Sequence, residues 1–127
     1  MLIGSREITA TLLATIRADL RGPVRSWHPG ARLTLTDVAP LGTLILHDVG
    51  EMARVEQQRL LTCLDRVAGI QVISTATASL LPRVEAGEFV ETLFYRLNVI
   101  TIDAPRTSQP TVRLLSWLRS LITSFKN

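Results

Sequence analysis

The pair His47-Asp48 directly follows the apolar run 44–46, and an imidazole beside a carboxylate can exchange protons with a substrate. If the run is a strand of an α/β sheet, the pair lies at the strand's carboxyl end, where such sheets place their sites. Adjacent strand residues point to opposite faces of a sheet, so these two side chains would not face one another. No nucleophile motif accompanies them, and we therefore expect no acid–base reaction at this pair.

The same histidine raises the question of a metal site built with His28, Asp37 or Asp48. These residues do not have the spacing of metal ligands on a single element, so a hydrogen-bonded His47 is expected and no metal ligand is predicted. Cys63 is the one cysteine, which excludes a disulfide within the chain and a cysteine-based metal site. Its apolar position in a helical pattern predicts a small buried side chain.

Composition favours one folded domain, because 46% of the 127 residues are hydrophobic and 20% are charged. The net charge is +3, but the arginines are scattered from Arg6 to Arg119 and form no run, which favours solvated surface charge over a nucleic-acid interface. No apolar run reaches the roughly 20 residues that span a bilayer. The first residues also lack the apolar stretch of a signal peptide, so a cytoplasmic protein is expected.

Patterns typical of strands and helices alternate along the chain. Apolar residues at helical intervals predict helices over 7–20, 51–67, 89–97 and 111–124. Short runs rich in β-branched residues and leucine predict strands over 2–3, 24–27, 33–36, 42–49, 70–75 and 98–103. This alternation is typical of an α/β fold with a parallel sheet covered on both faces. The helix predicted over 111–124 could pair with a second copy of the chain. Packing on its own sheet is favoured, because both faces of a parallel sheet are normally buried by helices.

Two segments carry motifs of a known family. Gly42-Thr-Leu-Ile-Leu-His-Asp-Val-Gly-Glu-Met52 is similar to the Walker B segment of the AAA+ ATPase domain of bacterial sigma-54 transcription activators, and Gln57 falls at that family's usual glutamine. Glu85-Ala-Gly-Glu-Phe-Val-Glu-Thr-Leu-Phe-Tyr-Arg-Leu-Asn-Val99 resembles the family's Glu-x-Gly-x-Phe-Arg-x-Asp-Leu-Tyr-Tyr-Arg-Leu-Asn-Val. The resemblance covers residues 42–103 in good register, while residues 1–40 match only loosely.

The family's phosphate loop, Gly-x-x-x-x-Gly-Lys-Ser/Thr, wraps phosphates with backbone N–H groups and meets their charge with lysine. Placed on the nearest glycine, it begins at Gly4 and its hydroxyl residue is Thr11. Thr9 then takes the place of the second glycine and Ala10 that of the lysine. The resemblance therefore implies a phosphate loop without its cation.

The other ATP-handling positions of the family are also substituted. His47 takes the place of the aspartate that organises Mg²⁺, and Asp48 that of the glutamate that positions the attacking water. Thr77 takes the place of the asparagine that senses the γ-phosphate. Val90 replaces the arginine that acts in trans, while Arg96 keeps a family arginine. These substitutions imply that the chain is not an ATPase.

The resemblance implies one domain over 1–127: a three-layer, P-loop/AAA+-like parallel sheet with helices on both faces and no lid domain. It implies a non-catalytic module that acts by protein–protein contact in transcription regulation or signalling, with a sigma-54 activator or a second copy as partner. No hexameric ring is expected, because ring assembly in that family depends on nucleotide. The chain also ends before any helix-turn-helix, so no DNA-binding domain is expected.

Two alternatives remain open. In the first, the chain binds ATP and Mg²⁺ without hydrolysis; outside this alternative no cofactor is expected. The nucleotide would contact Gly4, Thr11, Asp48, Thr77 and Arg96. Affinity tighter than millimolar is not expected for such a site, since lysine and the glycine turn are missing. A receiver-like regulatory domain would need an acidic cluster after its first and third strands, and Asp48 alone does not supply one.

Overall fold

The computed structural model describes residues 1–20, 22–32, 42–66 and 69–98, and the backbone of 102–103. In these ranges five strands form one sheet in the order β2-β3-β4-β1-β5, and every strand pairing is parallel. The strands are β1 (Leu2–Ile3), β2 (Val24–Trp27), β3 (Thr43–Leu46), β4 (Gln71–Ala76) and β5 (Ile102–Asp103). The strand predicted over 33–36 and the helix predicted over 111–124 lie outside the described residues.

Over the residues that the structure describes, four α-helices accompany the sheet: α1 (Arg6–Ile16), α2 (Arg54–Arg66), α3 (Leu81–Glu85) and α4 (Glu91–Leu97). Short 3-10 turns cover Arg17–Asp19 and Val49–Glu51. Within the described ranges, none of these helices has the length and apolar character needed to cross a membrane.

Strand β3 is the centre of the core, since all four of its residues are buried. Its side chains alternate between two apolar clusters, as the period of a strand requires. Leu44 and Leu46 belong to the cluster that contains α2 and α4, whereas Ile45 belongs to the cluster that contains α1. Helices therefore cover both faces of a parallel sheet, and the predicted three-layer α/β fold is confirmed.

The ends of the helices are set by local hydrogen bonds. The Ser5 hydroxyl accepts the Ile8 backbone N–H at 3.3 Å and caps α1. The α2 helix begins at Arg54 rather than 51, because the preceding 3-10 turn runs into extended backbone at Met52. Glu56 then caps this start by accepting the Ala53 N–H at 3.0 Å, which is one half of a capping box.

The connections leave the sheet in opposite directions next to β4. The α1 helix follows β1 and packs in one apolar cluster, while α2 follows β3 and packs in the other. In open parallel sheets such a divergence opens a crevice at the carboxyl ends of the strands, and ligands bind there. The candidate site therefore lies where β1, β3 and β4 end.

Candidate functional site

The carboxyl ends of β1, β3 and β4 bring together three of the residues predicted from sequence. Gly4 follows β1 and donates its N–H to the Ala76 carbonyl at 3.0 Å. Asp48 lies two residues beyond β3, and its backbone N–H donates to the Thr75 hydroxyl at 3.0 Å. Thr77 follows β4 directly and is exposed. Gly4, Asp48 and Thr77 thus surround the carboxyl end of β4.

The connection from β1 to α1 is much shorter than the sequence comparison implied. Only Gly4 and Ser5 separate the strand from the helix, and the remaining residues of the expected phosphate loop, 6–11, lie in the helix itself. Thr11 is exposed and donates its hydroxyl to the Glu7 carbonyl at 2.9 Å. The degenerate phosphate loop implied by the resemblance at residues 4–11 is not confirmed: the Ser5 cap starts a helix at Arg6, one residue before the start that periodicity predicted.

Arg6 occupies the crevice and was missed by the sequence comparison. As the first residue of α1, it reaches across the end of β4, and its Nε lies 3.0 Å from Asp48 Oδ2. A signal was available, because a phosphate-loop lysine also stands at the start of the helix that follows a strand and a glycine. Arg6 therefore supplies a cation at the start of α1, and its partner is the carboxylate of Asp48.

Asp48 holds its carboxylate towards Arg6 from an unusual backbone conformation. Its φ of 49° and ψ of 52° are left-handed, and among the described residues no other non-glycine has positive φ. Aspartate tolerates this region better than most residues, and strain of this kind clusters at ligand sites and switches. The conformation turns the chain from β3 into the 3-10 turn that precedes α2.

The side chains of His47 and Asp48 have different partners: the His28 ring and the Arg6 guanidinium. The His47 ring stacks on the ring of His28, with centroids 4.2 Å apart and planes 8° from parallel. Burial lowers the pKa of His47, His28 and Arg17 lower it further, and Asp48 acts in the opposite direction. In the described part of the chain, no three His, Cys, Asp or Glu side chains are grouped so that they could hold a metal ion.

Arg96 is not near these residues. Its guanidinium pairs with the Asp65 carboxylate and also donates to the Leu64 carbonyl at 3.1 Å. Both partners lie at the end of α2, a helix of 13 residues that is roughly 20 Å long and begins near the crevice. The structure therefore places Arg96 at the carboxyl end of α2 and not beside Asp48, and Thr11 lies on α1 with its hydroxyl bonded to Glu7.

Gln57 connects α2 to the segment before α4. It is 1% exposed, and its Nε2 donates to the Met52 carbonyl at 3.1 Å and the Glu88 carbonyl at 3.3 Å. Its Oε1 accepts the Val90 N–H at 2.8 Å. These bonds hold residues 88–90 against α2. In the family that the sequence resembles, an arginine stands at the position of Val90, which here has an apolar side chain.

Comparison with known proteins agrees with this fold. A family model described as the sigma-54 interaction domain matches residues 7–106. The regulatory protein AtoC of Escherichia coli is 35% identical over 105 residues, which cover 71% of this chain and 23% of AtoC. The nitrogen fixation protein VnfA of Azotobacter vinelandii is 36% identical over 107 residues, which cover 72% of this chain and 20% of VnfA.

A solved structure shares the architecture. NtrX from Brucella abortus, crystallised in complex with ATP, superposes with a TM-score of 0.64 at 22% identity, over 81% of this chain and 32% of that one. At this identity the likeness shows the fold alone. The chain spans only between a fifth and a third of the length of these three proteins.

Proposed function

The chain belongs to the sigma-54 interaction domain family, and we propose that it acts in transcription regulation as a non-catalytic module that works by protein–protein contact. The observation that carries the proposal is the crevice at the end of β4, where a two-residue connection replaces a phosphate loop. The Arg6–Asp48 ion pair lies across the same crevice.

The short connection supports a lack of ATP turnover for a geometric reason. A phosphate-binding loop wraps a chain of phosphates with successive backbone N–H groups, and this takes several residues between strand and helix. Gly4 and Ser5 are too few to form such a loop, and the Ser5 hydroxyl already accepts the Ile8 N–H.

The side chains of the crevice support the same proposal on chemical grounds. Mg²⁺ prefers oxygen ligands, and His47 stands where the family has an aspartate. The Asp48 carboxylate is engaged with Arg6, so a nucleotide would have to separate this pair before Asp48 could position a water. Val90 has no charge with which to stabilise a transferring phosphoryl group.

The partner is proposed to be a sigma-54 activator, the sigma-54 polymerase or a second copy of this chain. The test is affinity capture from an extract of the native cell with the full 127-residue chain as bait. A matched bait carries Val55→Glu and Tyr95→Glu, which change two apolar side chains that are each 61% exposed. Enrichment of a transcription protein on the native bait supports the proposal, and the absence of any specific protein contradicts it.

The assembly state gives a second test of the same proposal. Without a nucleotide to bridge subunits, the chain is expected to be a monomer or a dimer by light scattering. A stable ring of six subunits would contradict this expectation.

A second candidate function is nucleotide binding without hydrolysis. The convergence of Gly4, Asp48 and Thr77 at the end of β4 favours it, although Thr11 and Arg96 do not contribute. Calorimetric titration with ATP and Mg²⁺ distinguishes the two candidates. Affinity weaker than millimolar, about −4 kcal/mol, fits the non-catalytic protein-contact module, and micromolar affinity fits a nucleotide-binding module.

A further inference from the structure

His28 and His47 are brought together by the register of two neighbouring strands. Trp27 of β2 pairs with Leu46 of β3, and the His47 N–H donates to the Trp27 carbonyl at 2.9 Å. The two histidines therefore leave the sheet side by side, and their rings stack at 4.2 Å. Backbone hydrogen bonds between β2 and β3 fix the positions of the two histidines, so the contact follows from the strand register.

The stacked contact is favourable when both rings are neutral and unfavourable when both are charged. Two imidazolium ions at this separation repel each other, and the repulsion is greatest where water is partly excluded. Burial lowers the pKa of His47, and both His28 and the Arg17 guanidinium after α1 lower it further. Asp48 favours the proton, but its carboxylate is already engaged with Arg6. The folded domain therefore prefers the stack in which His47 is neutral.

The turn 28–31 depends on this stack together with two other attachments. The Ala31 N–H donates to the His28 carbonyl at 3.0 Å and closes the turn, and the Trp27 indole N–H donates to the Ala31 carbonyl at 2.8 Å. The Gly30 N–H donates to the Glu56 carboxylate at 2.8 Å, which ties the turn to the start of α2. Trp27 beneath it is only 4% exposed. Release of the turn would expose this indole and free one oxygen of Glu56.

We propose that His28 and His47 form a proton-sensitive clasp, which holds the turn 28–31 on the end of β3 at neutral pH and releases it in mildly acid solution. The direction follows from linkage. His47 binds its proton more weakly in the folded domain than in the unfolded chain, so the unfolded or opened state takes up more protons. The clasp is complete above the ordinary pKa of histidine, near 6.5, and it weakens as the pH falls below that value.

The test uses the full chain with Trp117→Phe, so that all tryptophan emission comes from Trp27. Fluorescence and amide exchange are followed from about pH 8 to about pH 5 in the presence of EDTA, across the range in which histidine titrates. The emission should shift to longer wavelength in one transition. The Gly30 and Ala31 amides should exchange about tenfold faster or more, after correction for intrinsic rates, while far-UV circular dichroism stays constant.

Matched variants identify the groups responsible. His28→Gln should weaken the transition without unfolding the domain, because His28 is exposed and its ring is lost from the stack while the burial of His47 remains. It should also raise the pKa of His47 measured by proton NMR. Glu56→Gln should retain the transition. The proposal is overturned if native protein shows no transition, if His28→Gln leaves the transition unchanged, or if Glu56→Gln removes it and thereby assigns it to the Glu56 carboxylate.

Discussion

Replacing Gln57 by leucine should destabilise the domain far more than any exposed change on the same helix. Leucine matches glutamine in size and helix propensity, so the loss is that of hydrogen bonds rather than of packing or helix formation. The Val90 N–H and the carbonyls of Met52 and Glu88 would lose their partner. Each buried polar group left without a partner costs about 1–3 kcal/mol.

The expected net cost is smaller than the sum of these terms. Glu88 is exposed, so water can replace the bond to its carbonyl, and burial of the leucine side chain returns about 1–2 kcal/mol. We therefore expect Gln57→Leu to lower the free energy of unfolding by about 2–3 kcal/mol. Most of this loss is assigned to the Val90 N–H and the buried Met52 bond.

Urea unfolding followed by circular dichroism measures the effect, with the slope against denaturant as a check that both proteins unfold in the same way. Gln58→Leu is the matched control, because Gln58 is exposed on the same helix and should change stability by no more than about 0.5 kcal/mol. Equal stabilities for Gln57→Leu and Gln58→Leu would refute the reasoning that Gln57 holds the segment before α4.

Four further substitutions, at three positions, test the strained and polar sites by urea unfolding. Asp48→Asn should cost less than about 1 kcal/mol, since the Arg6 side chain of the ion pair is 69% exposed. Asp48→Ala should cost about 1 kcal/mol more, because alanine is less tolerant of the left-handed backbone; equal losses would contradict that explanation. Ser74→Ala should leave stability unchanged or raise it by up to about 1 kcal/mol, because among the described residues Ser74 Oγ is buried without a partner, and a clear loss would show an unrecognised bond. Gly30→Ala should cost about 1 kcal/mol through its φ of +89°, since no atom lies within 4 Å of the added Cβ, and an unchanged stability would contradict strain at this turn.

The layers of the fold could be predicted because apolar periodicity reports burial directly. The run Leu44-Ile45-Leu46 is buried on both faces of the sheet, as its continuous apolar character indicated. The buried stripe of α1 likewise follows the four-residue spacing of its apolar residues. The helix boundaries were less predictable, because they depend on single hydrogen bonds. The Ser5 cap and the extended backbone at Met52 decide where α1 and α2 begin.

The candidate site could be predicted only in part, because its members belong to separate elements. Asp48 and Thr77 were expected at strand ends, and the parallel sheet brings them together. Arg6 was missed because a phosphate-loop alignment counts residues along the chain, whereas the helix cap shortens the connection from β1. Arg96 belongs to a motif of the resembling family, but the motif does not predict which end of α2 the Arg96 side chain contacts. The His28–His47 stack depends on the register of β2 with β3, which no periodicity reports.

The central claim is that the crevice at the end of β4 neither holds nor turns over a nucleoside triphosphate. Calorimetric titration of the purified chain with ATP and Mg²⁺, with phosphate release followed on the same sample, tests it most directly. The account predicts no affinity tighter than about 1 mM, near −4 kcal/mol, and no release of phosphate above background. Micromolar binding, with phosphate release that disappears in Asp48→Asn, would contradict it.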